Sequence, residues 1–257
     1  MRTTVPFLWL VATAWGAEIR DVWTSARIDT ALGSKRVVHV RPNWRVRVDS
    51  VKANWTGKND GFDQVAWVRR GSGRLIIGND DHEVAAGDLI HIGRGVLHQW
   101  RPRSGPLAFV SVEVLASGEN LPARNGFLAP RLMPAVLKKA AIHDTIARHD
   151  SNQPLHSGRN FTINYVIYKN RPGPWEAHKG CVDVYFIQHG TGRAELGGEI
   201  LGAREESPGE IRGSGVRGSR VHRIGPGDMV VIPRDGSHHM QPLDGKLAYL
   251  LMKVWVD

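Results

Sequence analysis

The chain has 257 residues, 41% of them hydrophobic and 29 of them glycine, which is enough for one large globular domain or two small ones and unlike a disordered chain. Its net charge of +9 is scattered over arginines in strands and turns, such as Arg45, Arg69, Arg101 and Arg204, and is not gathered on one helix or stripe. That excludes a dedicated nucleic-acid binder and leaves a general attraction for anionic small molecules.

The first residues, MRTTVPFLWLVATAWGAEIR, combine Arg2, an apolar run from Val5 to Trp15 and small residues Ala12, Ala14, Gly16 and Ala17. This pattern predicts a secretory signal peptide over residues 1–17 and a periplasmic or secreted mature protein. A buried N-terminal helix or strand is the alternative. The run is too short to span a bilayer, and no other segment reaches spanning length.

After a short helix predicted near Thr24 to Leu32, strands follow one another and then repeat. WRVRVDSVKA, from Trp44, has its counterpart in FTINYVIYK, from Phe161. VAWVRRGSGRLIIGN, from Val65, lies over VYFIQHGTGRAELGG, from Val184. AAGDLIHIGRGVLHQW lies over GPGDMVVIPRDGSHHM, each with a histidine eleven residues after its glycine, His98 and His238. A second helix is expected near Ala135 to His149. Short alternating strands with Gly/Pro turns, met twice in the same order, predict two tandem β-barrels. The Pro-bearing stretch around residues 121–134 is the seam, dividing residues 18–125 from 126–257.

Gly227, Pro233 and His238 resemble the second signature motif of the cupins, and Glu176 to Gly190 is similar to the first. The resemblance covers nearly the whole mature chain, as a bicupin. The second half also resembles small exported bacterial cupins of undefined activity, which carry an insert like SPGEIRGSGVRG. The resemblance implies an all-β fold of two jelly-roll barrels, frequently a divalent metal, and oxygenase, isomerase or lyase chemistry. Some members only bind ligands. Matched residue by residue, Glu176 and His178 take the places of the family's two early histidines, Asp183 that of its glutamate, and His238 that of the late histidine.

The residues argue for a metal independently of the name. Glu176 and His178 are two apart on a strand and share a face, Asp183 opens the next strand, and His238 follows a later turn. Two imidazoles and two carboxylates suit Fe(II), Mn(II), Zn(II) or Ni(II). Asp183, shorter than a glutamate, is either a ligand, a partner of one, or a general base. The alternative is that Glu176 and His178 lie on an exposed loop and His238 only closes a turn. Tyr185 and the single cysteine, Cys181, are in phase with Asp183, and an inert buried thiol is the expected state of the latter. His239 should face away from His238.

In the first copy Gly57, Asn59 and Gln64 stand where the second has Glu176, His178 and Asp183, and only His98 remains of the donor set. No divalent-metal site is expected there, and the copy is left for packing, dimerisation or ligand capture. The insert SPGEIRGSGVRG, rich in glycine, is expected to be a mobile flap over the second mouth, with Arg212 and Arg217 available to an anionic substrate. Two functions stay open: a metal-dependent enzyme acting on a small organic molecule, and a non-catalytic small-ligand binder.

Overall fold

A computed structural model describes residues 21–32, 36–41, 43–115 and 133–256. The candidate signal peptide and most of the Pro-bearing seam lie outside the described residues. The fold is all-β with two short helices, Ser25–Ala31 and Lys139–Arg148, each inside its expected span. Neither is long and apolar enough to cross a membrane.

The duplication is visible in the sheets. In the first half a six-stranded sheet runs in the order Val136–Leu137, Leu89–Ile92, Phe62–Arg70, Leu107–Leu115, Trp44–Val51, Arg36–Val40. In the second half the order is Asp21–Trp23, Met229–Ile232, Cys181–His189, Lys246–Trp255, Phe161–Lys169, Gln153–Gly158. Position by position these are the same sheet. Each half closes into a jelly roll with a second sheet. In the first half it is built from Trp55–Lys58, Leu97–Pro102, Ser72–Ile77 and Asp80–Ala85. In the second half its centre is Trp175–His178, His238–Pro242 and Gly192–Leu196.

Period-two alternation decides where each apolar side chain goes. Val65 and Trp67 face a core shared by both barrels, while Ala66 and Val68 face the interior of the first. Val184 and Phe186 face the same shared core, while Tyr185 and Ile187 face the interior of the second. Both faces of these strands are therefore buried, which is why they read as nearly unbroken apolar runs. Across the shared core the rings of Trp67 and Phe186 lie 5.2 Å apart.

The repeated G-[ST]-G turn has a steric reason. Gly71 and Gly190 sit at φ of 83° and 73°, and a Cβ there would come within 2.5 and 1.8 Å of the carbonyl oxygens of Pro106 and Lys246. The repeated Gly-Asp has an electrostatic one. Asp228 Oδ2 accepts from the Gly225 amide at 2.9 Å and its Oδ1 accepts from the Ser25 amide at 2.7 Å, at the start of the first helix. Asp88 does the same with the amides of Ala85 and Lys139, both at 2.9 Å, at the start of the second. Each half thus caps the helix that leads into the other, by satisfying an amide the helix leaves unpaired. Strands are exchanged in the same sense, since Asp21–Trp23 pairs with Met229–Ile232 and Val136–Leu137 with Leu89–Ile92.

The insert departs from expectation. It is sheet and not flap: Glu210–Gly213 pairs antiparallel with Trp175–His178, aligning Glu210 with His178 and Arg212 with Glu176. On its other side it pairs with Arg204–Ser207. Its glycines permit turns between short strands that backbone hydrogen bonds then hold.

Candidate metal centre

Strand pairing brings the second barrel's polar residues together. Glu176 lies directly opposite His238 in the sheet, and His178 is two residues further along the same face. His238 Nε2 stands 3.2 Å from Glu176 Oε1, and His178 Nε2 stands 3.9 Å from Glu176 Oε2. Donor atoms of Glu176, His178 and His238 all fall within 4.8 Å of one another. Asp183 comes from the facing sheet and is fully buried, with Oδ2 at 3.3 Å from His178 Nε2 and 3.7 Å from His238 Nε2. All four expected residues therefore meet in one place, and Glu176 and His178 are not on an exposed loop.

Hydrogen bonds fix which ring nitrogens face inward. His238 Nδ1 lies 2.9 Å from the carbonyl oxygen of Gly236, which can only accept, so Nδ1 carries the proton. His178 Nδ1 lies 2.9 Å from Glu210 Oε1 and donates to that carboxylate. Both Nε2 lone pairs then point at the carboxylates of Glu176 and Asp183. His238 Nε2 is buried and has no hydrogen-bond partner. Lone pairs facing carboxylates repel unless a cation or an added proton lies between them. The donor chemistry fits a divalent ion: two imidazoles anchored from behind, with carboxylate oxygen beside them.

The surrounding charges respond to this crowding. Burial opposes ionisation of Glu176, but His238, His178 and Arg212 outweigh it and hold the carboxyl well below the ordinary range. Burial likewise opposes protonation of His238, yet Glu176 and Asp183 raise its pKa. Behind the donors, Arg212 reaches Glu176 at 2.7 Å and Glu210 at 3.0 Å. Lys253 lies 3.7 Å from Asp183 and 3.8 Å from Glu210. Burial disfavours its charge, but the carboxylates of Asp183 and Glu210 more than offset that and raise its pKa.

Tyr185 donates its hydroxyl to Asp183 Oδ2 at 3.1 Å, and the Cys181 thiol approaches Asp183 Oδ1 at 3.6 Å. Burial pushes the thiol pKa up, which keeps it protonated and inert, as expected. His239 faces the other way and stacks on Trp175 at 3.9 Å. Arg212 is committed to carboxylates, and Arg217 is exposed beside Glu199 at 3.9 Å. Glu210 and Lys253 were not anticipated. Glu210 and Arg212 are two apart in SPGEIRG, a spacing that marks one strand face, but glycines on either side conceal the strand. A cavity of about 240 Å³ opens beside His178 and Glu210.

The first barrel repeats the scaffold without the chemistry. Gly57 lies opposite His98, as Glu176 lies opposite His238. Among the described residues, no metal-ligating cluster forms there. His91 turns away to His156 and Phe161, with ring centroids at 4.6 and 5.6 Å.

No family model and no curated protein matches the sequence. Solved structures do match the fold. A cupin 2 conserved barrel domain protein from Leptotrichia buccalis superposes with a TM-score of 0.59 at 12% identity, covering 85% of this chain and 87% of its own. Salicylate 1,2-dioxygenase from Pseudaminobacter salicylatoxidans gives 0.64 at 10% identity, over 92% of this chain and 84% of its own. A structure of salicylate 1,2-dioxygenase with gentisate gives 0.63 at 9% identity, over 92% and 81%. At such identities the likeness speaks to the fold alone, and with the duplicated sheets it establishes that this chain carries the cupin fold in two copies.

Proposed function

We propose that the second barrel binds one divalent metal ion through Glu176, His178 and His238, and acts on a small organic molecule. The observation that carries this is the convergence of two imidazole Nε2 atoms and a carboxylate within 4.8 Å, each ring held from behind through Nδ1. Two imidazoles and one carboxylate with open positions suit Fe(II), with Mn(II), Zn(II) and Ni(II) also served by the donor set. Such an ion supplies Lewis-acid chemistry or, as Fe(II), oxygenase chemistry. The dioxygenases that share the fold favour the oxygenase form of this reading over isomerase or lyase forms.

Asp183 is the proton acceptor in this reading. Its Oδ2 faces the donors, while Tyr185, Cys181 and Lys253 hold the group in place. Closure of the site by Asp183 as a fourth ligand is the second reading, and it makes the barrel a binder without turnover. Its nearness to both Nε2 atoms favours that alternative. Export to the periplasm or beyond belongs to the same proposal and rests on residues 1–17 only.

Elemental analysis of purified protein tests the assignment. One ion per chain is expected, lost in His238→Ala and in the double variant Glu176→Gln with His178→Ala, and retained in His98→Ala. Two ions per chain, or loss of metal in His98→Ala, refutes it. An oxygen-consumption screen with Fe(II) then separates the roles of Asp183. As a base, Asp183→Asn keeps the metal and loses roughly 10²–10⁴-fold in turnover. As a fourth ligand it loses the metal.

A further inference from the structure

A cavity larger than the one beside the candidate metal centre lies in the first barrel. It has a volume of about 720 Å³, within the range of small-molecule sites and three times that beside His178. Three observations bear on what enters it.

The position that would hold a metal ligand is filled by carbon. A Cβ on Gly57 would fall 2.2 Å from Cη2 and 2.3 Å from Cζ2 of Trp55, so the indole covers the backbone from which Glu176's counterpart would project. The same indole packs against His98, ring centroids 5.3 Å apart. In this arrangement the indole occupies the place of a ligand, and one imidazole with two neutral amides does not make a divalent-metal site. Trp55, Phe62, Trp100 and Phe109 line the space, and Trp55, 46% exposed, stands at its mouth.

The inward charges are also changed. Where the second barrel sets Lys253 opposite Asp183, the first sets Glu113 opposite Gln64. Glu113 is neutralised by Arg45 and by Arg47, the latter at 3.4 Å, and Arg47 also holds Asp49 at 2.8 Å. The charges inside are thus paired among themselves. At the lip, Lys58 pairs with Asp60 at 3.0 Å, and Lys52 has no ion-pair partner among the described residues. Asn59 donates to Gln64 at 3.4 Å, and both amides line the cavity.

We propose that the first barrel is a metal-independent binding site for a small planar organic anion, its ring lying against Trp55 and its carboxylate beside Lys52. The accessible indole face of Trp55 selects a flat apolar body. A single unpaired cation at the lip selects one negative charge, and the buried amides accommodate polar ring substituents. This site is separate from the metal reading of the second barrel and stands or falls without it.

Isothermal titration of the full chain in EDTA, with 2-naphthoate as probe and 2-naphthamide as its uncharged counterpart, tests the proposal. One naphthoate per chain is expected, bound up to about fivefold tighter than the amide, the effect of one exposed charge. Lys52→Glu should abolish that preference and leave amide binding unchanged. Trp55→Ala, its fold checked by circular dichroism, should weaken both probes by about tenfold. Absence of naphthoate binding, binding that requires added metal, equal affinity for the amide, or insensitivity to both substitutions overturns the proposal.

Discussion

Replacing Glu210 tests the metal centre at a residue that touches no metal. Glu210 Oε1 takes the Nδ1 proton of His178 at 2.9 Å and so fixes the ring with Nε2 inward. It also belongs to a charge set of three carboxylates, Glu176, Asp183 and Glu210, facing two cations, Arg212 and Lys253. With both histidines neutral that set carries one net negative charge, and removing Glu210 brings it to zero. Attraction for a divalent cation and orientation of one ligand are lost together. Partners of this kind contribute roughly 10–100-fold to metal affinity, or about 1.4–2.8 kcal/mol. Glu210→Ala should lie near the upper figure. Glu210→Gln keeps an oxygen to accept from Nδ1 but drops the charge, and should lie near the lower. Competition with a chromophoric chelator at fixed pH reads the affinity, and circular dichroism checks that the barrel is intact. Wild-type affinity in a folded Glu210→Ala variant would refute both the tautomer argument and the electrostatic one.

Two further expectations concern the shared core. Burial lowers the pKa of His91, with Asp63 opposing from 4.0 Å and Arg94 in turn 3.5 Å from Asp63, while His156 packs on the ring. Below the ordinary value of 6.5 the unfolded chain then binds more protons than the folded one, so stability falls as pH falls. The unfolding midpoint should drop between about pH 7 and about pH 5. His91→Phe should flatten that drop, and an unchanged slope would show that His91 does not carry it. Trp67 is 4% exposed and packs on Phe186 between the barrels. Trp67→Ala should cost about 3–5 kcal/mol in urea unfolding, and a loss below about 1 kcal/mol would mean the shared core is not cooperative.

The fold was legible because its signals are local. Alternation along a strand, a glycine at positive φ and a fixed spacing between Gly-Asp and histidine are properties of one stretch of chain. The four polar residues of the second barrel were legible for the same reason, since they sit at repeated positions. What escaped were pairings between stretches. Glu210 meets His178 across 32 residues, and Lys253 meets Asp183 only because two strands align them. Trp55 escaped differently. Aligning the copies marks Gly57 as an absence, and nothing in a one-to-one alignment says that a side chain two residues earlier fills the space.

The Gly-Asp repeat carries the same lesson further. As sequence it is a turn before a strand, and in each copy the aspartate does close that turn through Oδ2. Its other oxygen reaches the helix leading into the opposite barrel, Asp228 to Ser25 and Asp88 to Lys139. With the strands Asp21–Trp23 and Val136–Leu137 also crossing over, neither barrel completes its large sheet from its own stretch of chain. An edge strand left unpaired would expose a row of backbone groups, and an uncapped helix would leave amides unsatisfied. The integrity of the second barrel therefore depends on the first copy as well, whatever that copy binds. The first barrel cannot lose Asp88 or Leu89–Ile92 without loosening the helix and strand that lead into the second.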